Sequence, residues 1–501
     1  MMSKHTFEIG IWNQENFWLL SLVIILFALA LGYVISLDPD WLRIGFEPAL
    51  IKHLLGLLVG VTVAITIFRW PDIGLLGLVA VIYTNASEAG VRFHNLPSAL
   101  QLLVLVLIIT LVVRQLVLRG KRLVFDPLIV WLIIYCAVIF SSSARASNLQ
   151  LADEDLFEHV KDLLIFFVII NFMTSRLTLW RVVWTLVLIG AFLGTISVYQ
   201  VLTSSYDSEF GGFGRIKLAQ IVGYIREPRI AGPLSDPNFY AQILVVLVPL
   251  ALYRIWDESS LRLKAIAAYA FAVTMLALVF TYSRGGALAL GIVLLLAAIN
   301  KKVKVQYLLL GLLVLAPLII LIPKQFEGRL STLTQLIPGQ DESPVHLDSS
   351  FQERILLMRT AWEMFSDRPF FGVGAGNYSE YYEEYSPRVG SIVSSYEDFG
   401  KPRFPHNLYL EVAAETGLVG LVVFATIIVL TLLRLRSAHK LFKAAGDLHS
   451  ASLVISLALG FIGYLITSLF LHGDYIRYFW LLVAIAVAAK NIAEQQREPE
   501  T

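Results

Sequence analysis

Apolar runs of roughly eighteen residues or more recur along the whole chain, separated by short polar stretches. A helix of that length matches the hydrocarbon thickness of a bilayer. Placed on the sequence, the runs predict spans at 17–37, 49–68, 72–86, 97–118, 127–143, 160–175, 182–203, 237–254, 265–282, 285–300, 305–323, 406–433, 450–471 and 474–490. That is about fourteen, the run at 72–86 being the weakest. The short alternating segments of a membrane barrel are absent. The first run is too long for the apolar core of a signal peptide, and no small-residue cleavage pattern follows it, so it reads as a retained span.

Two stretches depart from this pattern. Residues 324–405 form the one long polar interval. Within it, "SFQERILLMRTAWEMFSDRP" reads as an amphipathic helix, with Phe351, Ile355, Met358, Trp362 and Phe365 on one face. Pro369 ends it. A glycine-rich turn, "FFGVGAGNY", and an acidic aromatic segment, "EYYEEY", follow. Such a helix can lie on a membrane surface. The second departure is "FPHNLYLEVAAETGLVG", the start of the run at 406–433. Asn407, Glu411 and Glu415 are spaced i, i+4, i+8 and form one stripe. His406 stands about 100° away, above Ala413, Gly417 and Gly420, a small-residue face suited to close packing. Glu415 would lie ~13 Å below His406. A carboxylate at that depth must be partnered or face a cavity.

Composition sharpens the class. The chain has 501 residues, 57% hydrophobic and 15% charged, against about 25% charge in a soluble domain. The net charge of +1 gives no footprint for nucleic acid. With Cys136 as the single cysteine, an intrachain disulfide and a cysteine metal cluster are both excluded. No internal repeat supports an inverted-repeat transporter. The connections at 114–122, 254–264, 301–304 and 434–443 are rich in Lys and Arg, as cytoplasmic loops are. The connections at 38–48, 87–97, 144–159, 204–236 and 324–405 then face outward, with both termini inside.

Several side chains stand out against this background. Arg354 lies within the apolar arc of the loop helix. It either meets a lipid phosphate, which its guanidinium fork matches, or is a surface arginine on a membrane-lying helix. Arg284, in the "SRGG" turn between two spans, is held at the outer surface, where it reaches a ligand or satisfies helix-terminal carbonyls. Arg226 and Arg229 precede the next span, and Asp236 with Pro237 makes a good N-cap and first-turn pair. Asn238, just inside that helix, could face a cavity. His406, directly after Pro405, is either a proton acceptor at the mouth or an interfacial cap. His472, Asp474 and Arg477 form a short outer turn that adds to the same surface or punctuates a hairpin. Asp38 and Asp40 are a weak acidic pair and read more simply as a turn. "GVGAG" lacks the preceding strand and the lysine of a nucleotide loop.

Taken together, the "SRGG" turn, "RIAGPLSDPN", the loop pattern "FQER…W…F…P…GVGAGNY" and "HNLYLEVAAETGLVG" resemble the O-antigen ligase and O-antigen polymerase superfamily of bacterial envelope glycosyltransferases, over roughly Arg226 to Leu433. The resemblance implies an all-α, polytopic, GT-C-like fold in the bacterial inner membrane, with the active site on the periplasmic side. It implies transfer of a glycan from an undecaprenyl-diphosphate carrier to a hydroxyl of a glycan or lipid-linked acceptor, without metal, nucleotide sugar or other cofactor. His406 maps onto the family's histidine, as base or acceptor-positioning group. Arg284 and Arg354 map onto the arginines expected to bind the donor diphosphate. Asp474 is the nearest match to an acidic residue near the last span. Arg229, Asn238, Asn407 and Glu411 are further candidates for substrate contact. Membrane lipids and an envelope polysaccharide assembly machinery are the expected partners. The chain divides on this reading into 1–225, 226–323, 324–405 and 406–501. The rival reading, a transporter or lipid-linked glycan flippase, would place charges and broken helices near the bilayer midplane.

Overall fold

The structure is a computed structural model that describes residues 48–118, 123–221, 225–301, 349–390 and 402–495. The spans expected at 17–37 and 305–323, the pair Asp38 and Asp40, and the remainder of the 324–405 interval lie outside the described residues. Two compact units are present, residues 1–69 and 70–501. The described part of the first is helix α1, Pro48–Arg69.

The second unit is predominantly helical. In chain order it holds α2 (Pro71–Tyr83), α3 (Ala86–His94), α4 (Ala99–Thr110, carried on as a π-helical segment Leu111–Leu118), α5 (Leu128–Ser143), α6 (Leu149–Phe172) and α7 (Arg176–Leu202). Two strands follow, β1 (Arg215–Ile221) and β2 (Ile225–Gly232). Then come α8 (Pro237–Asp257), α9 (Leu261–Phe280), α10 (Arg284–Asn300), α11 (Ser349–Asp367), α12 (Tyr378–Val389), α13 (Leu408–Ala444), α14 (Leu448–Thr467) and α15 (Arg477–Gln495). Five helices, α7, α8, α9, α13 and α14, are long and apolar enough to cross a membrane, and α2 with α3 make a sixth if the 65° bend between them lies within one span. The protein is a multi-pass helical membrane protein. Several other predicted runs form shorter apolar helices, among them α4, α5 and α10.

α8 lies at the centre, packed by α7, α9, α10 and α14. Its near-continuous burial follows from apolar residues all round rather than on one stripe. Close approach is made by small residues. A Cβ on Gly460 of α14 would stand 2.9 Å from the Val246 carbonyl oxygen of α8. A second group, α5, α6, α13 and α15, packs beside it.

Four expectations need correction. The interval 204–236, read as a loop, contains the antiparallel hairpin β1–β2, with Lys217 opposite Arg229. "RIKLAQI" alternates apolar and polar residues, a strand signal within a chain otherwise read for helices. The interval 144–159 is largely the first half of α6, capped by Asn148, whose side chain accepts from the Gln150 and Leu151 N–H groups. The loop helix α11 forms as expected and ends before Pro369, but its buried face is Leu357, Thr360, Ala361 and Met364, while Trp362 is 55% exposed. That face packs on α13 and α12 in a small core with Val373, Tyr378, Tyr385 and Ala414.

The fourth correction concerns the helix that starts at 408. His406 is not on it: φ of +48° puts His406 in a left-handed turn, and Asn407 caps the helix by accepting from the Leu410 N–H at 3.0 Å. The helix is then broken at Gly417, whose backbone (φ 68°, ψ −165°) is non-helical. The glycine-rich segment 369–374 enters the break. Val373 and Gly374 N–H groups donate to the Ala414 and Glu415 carbonyls at 2.9 and 3.0 Å, and the Leu418 N–H donates to the Pro369 carbonyl at 2.7 Å. The backbone groups freed by the break are thus satisfied. The segment after Gly417 has roughly the length needed to cross a bilayer by itself. The segment 408–416, with its two carboxylates, is a separate short helix tied to the loop.

Candidate active site

The segments around residues 84–98, 144–148, 203–236, 281–284, 369–378, 404–407 and 468–476 meet at one end of the bundle. Cross-links show this directly. The Asn85 amide donates to the Pro233 carbonyl, Arg229 Nε to the Thr281 carbonyl at 2.9 Å, and the Leu408 N–H to the Ser468 carbonyl at 3.0 Å. These segments include described parts of the intervals 87–97, 144–159, 204–236 and 324–405, which were read as outward. At the other end Arg434 pairs with Asp126 and Arg176 with Asp447, near the described basic connections 254–264 and 434–443.

His406 stands at the first end. Its ring meets the His472 ring edge-on at 5.2 Å, and Phe404 stacks flat on His472 at 4.3 Å. Nδ1 of His406 is buried with no hydrogen-bond partner among the described residues, and so are both ring nitrogens of His472. Burial pushes the His406 imidazole down to about 3, helped by Arg354, His472 and Lys217 against the opposing pull of Asp236. At neutral pH it is an uncharged imidazole with a nitrogen lone pair available. Arg354, half-buried on α11, is the charge that acts on it most strongly.

A second group lies beside this pair. Lys217 of β1 donates to Asp236 at 2.6 Å. Asn238 donates to the same carboxylate at 2.9 Å and accepts from Arg229 at 3.2 Å. Burial raises the Asp236 carboxyl, but Lys217, the Asn238 N–H and Arg229 outweigh it and hold the group below its ordinary value. Arg229 also binds Thr281, three residues before Arg284. Arg284 opens α10 behind Ser283, whose hydroxyl accepts from the Gly286 N–H. Gly285 abuts Phe470, so that turn presses on the same 468–476 segment that carries His472.

The remaining candidates are engaged by backbone. The Asn407 amide donates to the Leu469 carbonyl at 3.1 Å besides capping α13. Glu411 accepts from the Gly473 N–H at 2.6 Å. Glu415 accepts from the Gly376 and Tyr378 N–H groups at 2.9 and 3.0 Å, and so caps the start of α12. Asp474 is exposed and 3.4 Å from His472. Sequence reasoning took Asp236 as a helix cap, which it is, and missed its ion pair with Lys217. That pair depends on the hairpin, whose alternating pattern was the available signal. Among the described residues no group of three or more His, Cys, Asp or Glu is placed to hold a metal ion.

Residues 269–425 match the family model described as O-Antigen ligase. The match covers 157 of the 501 residues, and over this segment the chain is similar to that family. The matched segment spans Arg284, Arg354, His406, Glu411 and Glu415, so the histidine and two of the arginines come from within it. Lys217, Arg229, Asp236 and Asn238 precede it, and His472 and Asp474 follow it, so sequence outside the matched segment completes the surroundings of His406. No curated protein matches the chain.

Proposed function

We propose that the protein transfers a glycan from an undecaprenyl-diphosphate carrier to an acceptor hydroxyl at the periplasmic face of a bacterial inner membrane, as a polymerase or ligase of O-antigen or exopolysaccharide. The observation that carries this reading is the buried, unpartnered Nδ1 of His406 beside His472 and within the field of Arg354, in a segment similar to the O-antigen ligase family. The acceptor hydroxyl attacks the anomeric carbon, the bond from that carbon to the phosphate oxygen breaks, and the lipid diphosphate leaves. His406 takes the acceptor proton. Direct displacement inverts the anomeric centre. Arg354, Arg284 and Arg229 supply positive charge that is already in place for the developing anion. The donor diphosphate also acts on His406. It cancels the field of Arg354 and adds negative charge, which raises the imidazole's proton affinity when donor is present. The base is therefore weak in the empty enzyme and strengthened in the complex.

The arrangement of about fourteen spans with 324–405 outside is part of this reading. What supports it is the gathering of the described outward-read segments at one end and the described basic ones, 254–264 and 434–443, at the other. The break at Gly417 favours a transporter or flippase in one respect, since broken helices line transport sites. Here, however, the freed backbone groups pair with residues 369–374.

The experiment is a reaction of purified protein with purified lipid-diphosphate-linked glycan, with EDTA present. One added unit identifies a ligase and a ladder identifies a polymerase. Movement of the glycolipid across liposomes without any new glycosidic bond would contradict the proposal and support the flippase.

A further inference from the structure

Behind the imidazole pair lies a second space. A cavity of about 830 Å³ opens between α2, α4 and α6 and ends at Phe404, Leu408 and Gly473. His406, Arg229, Arg284 and Arg354 do not line it. Phe404 belongs to both places, stacked on His472 and bordering the cavity. The volume falls in the range of ligand sites, about 300–1,000 Å³.

Its polar lining is acidic. Asp155, Glu411 and Glu415 all border it. Its two lysine or arginine cations are engaged, Lys161 by Glu158 and Arg477 by Glu158 and Asp162. His159 stands beside Asp155, its Nδ1 3.5 Å from the carboxylate. His159 is 7% exposed and borders the same cavity. Its Nδ1–H donates to the Asp155 carbonyl at 2.9 Å, which leaves Nε2 an acceptor, buried and without a described partner. The polar surface therefore offers hydrogen-bonding oxygens and a ring nitrogen but no unengaged lysine or arginine to partner an anion. A ligand that fits carries many donors and no negative charge. One flank is apolar, made by Val104, Leu105 and Ile108 of α4 and Leu164 of α6. Leu105 and Leu164 are exposed toward the outside of the bundle.

We propose that this cavity is the acceptor subsite and that it takes an uncharged or amino-sugar glycan, whose hydroxyls donate to Asp155, Glu411 and His159 Nε2. The proposal rests on the glycosyl-transfer reading. Glu415, with both oxygens bonded to backbone N–H groups, fixes the wall. The cavity's inner end at Phe404 lies two residues from His406, where the reactive hydroxyl would pass to the imidazole. With Lys161 and Arg477 already paired, the cavity holds no lysine or arginine for a uronate or for the donor diphosphate, which stays on the arginine side. Asp155 and His159 are then acceptor-binding residues contributed by α6, outside the matched segment.

The test is equilibrium binding of a fluorescently labelled panel of neutral, amino-sugar and uronate oligosaccharides to the purified full-length protein in detergent. The expected result is binding of a neutral or amino-sugar member, with uronates at least tenfold weaker. Asp155→Asn and Glu411→Gln should each weaken that binding about tenfold, equivalent to ~1.4 kcal/mol, while Arg354→Ala leaves it unchanged. Leu105→Trp, which fills the apolar flank, should weaken it without touching a carboxylate and so serves if the polar variants unfold. Uronates bound as tightly as neutral chains, no binding by any member, or binding indifferent to all three cavity variants would overturn the subsite. Binding with this selectivity but no transfer would uphold the subsite and count against glycosyl transfer alone.

Discussion

His406 is held in a left-handed turn (φ +48°), a conformation that costs a non-glycine residue on the order of 1 kcal/mol. The sequence singled it out as a histidine at the mouth of a polar-striped helix, with an interfacial cap as the plainer alternative. Its surroundings were not legible there. His472, Lys217 and Asp236 are distant in sequence and meet it only through folding, and helical-wheel geometry misplaced His406 because the helix starts two residues later. The depressed imidazole gives a pH prediction. A group that titrates at about 3 in the empty protein is neutral from mildly acidic pH upward, and bound diphosphate raises it. The acid limb of kcat/KM, which reports the free enzyme, should lie well below the ordinary histidine value of about 6.5, and the acid limb of kcat should lie at higher pH. Arg354→Ala, by removing a repelling charge, should move the kcat/KM limb upward. Coincident limbs near 6.5 would refute this account of the imidazole.

Among the elements, α13 shows most clearly what patterning conveys. Its apolar run was read as one continuous helix because Gly417 is unremarkable in a membrane sequence. The break became visible only with the partner segment 369–374 in place. Gly417 adopts a backbone region that is essentially glycine-only, and a Cβ there would stand 2.3 Å from the Phe370 carbonyl carbon. Gly417→Ala should therefore destabilise the protein by about 2 kcal/mol or more, read as a lower Tm in detergent, with loss of hydrogen-exchange protection at Val373 and Gly374. An unchanged Tm would mean that the break is not formed. The face of α11 failed for a different reason. The helix carries apolar residues on two faces, and periodicity does not say which one meets α13. The smaller side chains of Thr360 and Ala361 go inward, and Trp362 stays outward.

At the scale of the whole molecule, the two ends of the bundle do different work. The helical membrane class, the alternation of basic connections and the superfamily motifs were all legible from composition and spacing. The hairpin and the acidic cavity were not, because each is assembled from elements with no common sequence signature. The end opposite His406 is held by a buried ion cluster. Arg254, 0% exposed, donates to Glu258 at 3.1 Å and to Ser452 at 2.9 Å, and the Trp184 indole donates to the same carboxylate at 3.1 Å. Arg254→Met leaves that carboxylate buried without its cation, a loss on the order of 3–5 kcal/mol. Tm should fall accordingly, while transfer per folded molecule stays at the wild-type level, since the cluster is remote from the site. Transfer lost in proportion beyond the folded fraction would show that the two ends are coupled.

The most direct measurement is glycan transfer by His406→Asn from purified lipid-diphosphate donor. Asparagine tolerates the left-handed turn and so keeps the local backbone, but it cannot take a proton. The account predicts a folded protein of wild-type Tm that retains donor binding and loses transfer by at least 100-fold, the usual scale of a general base. Transfer within a few fold of wild type would contradict it.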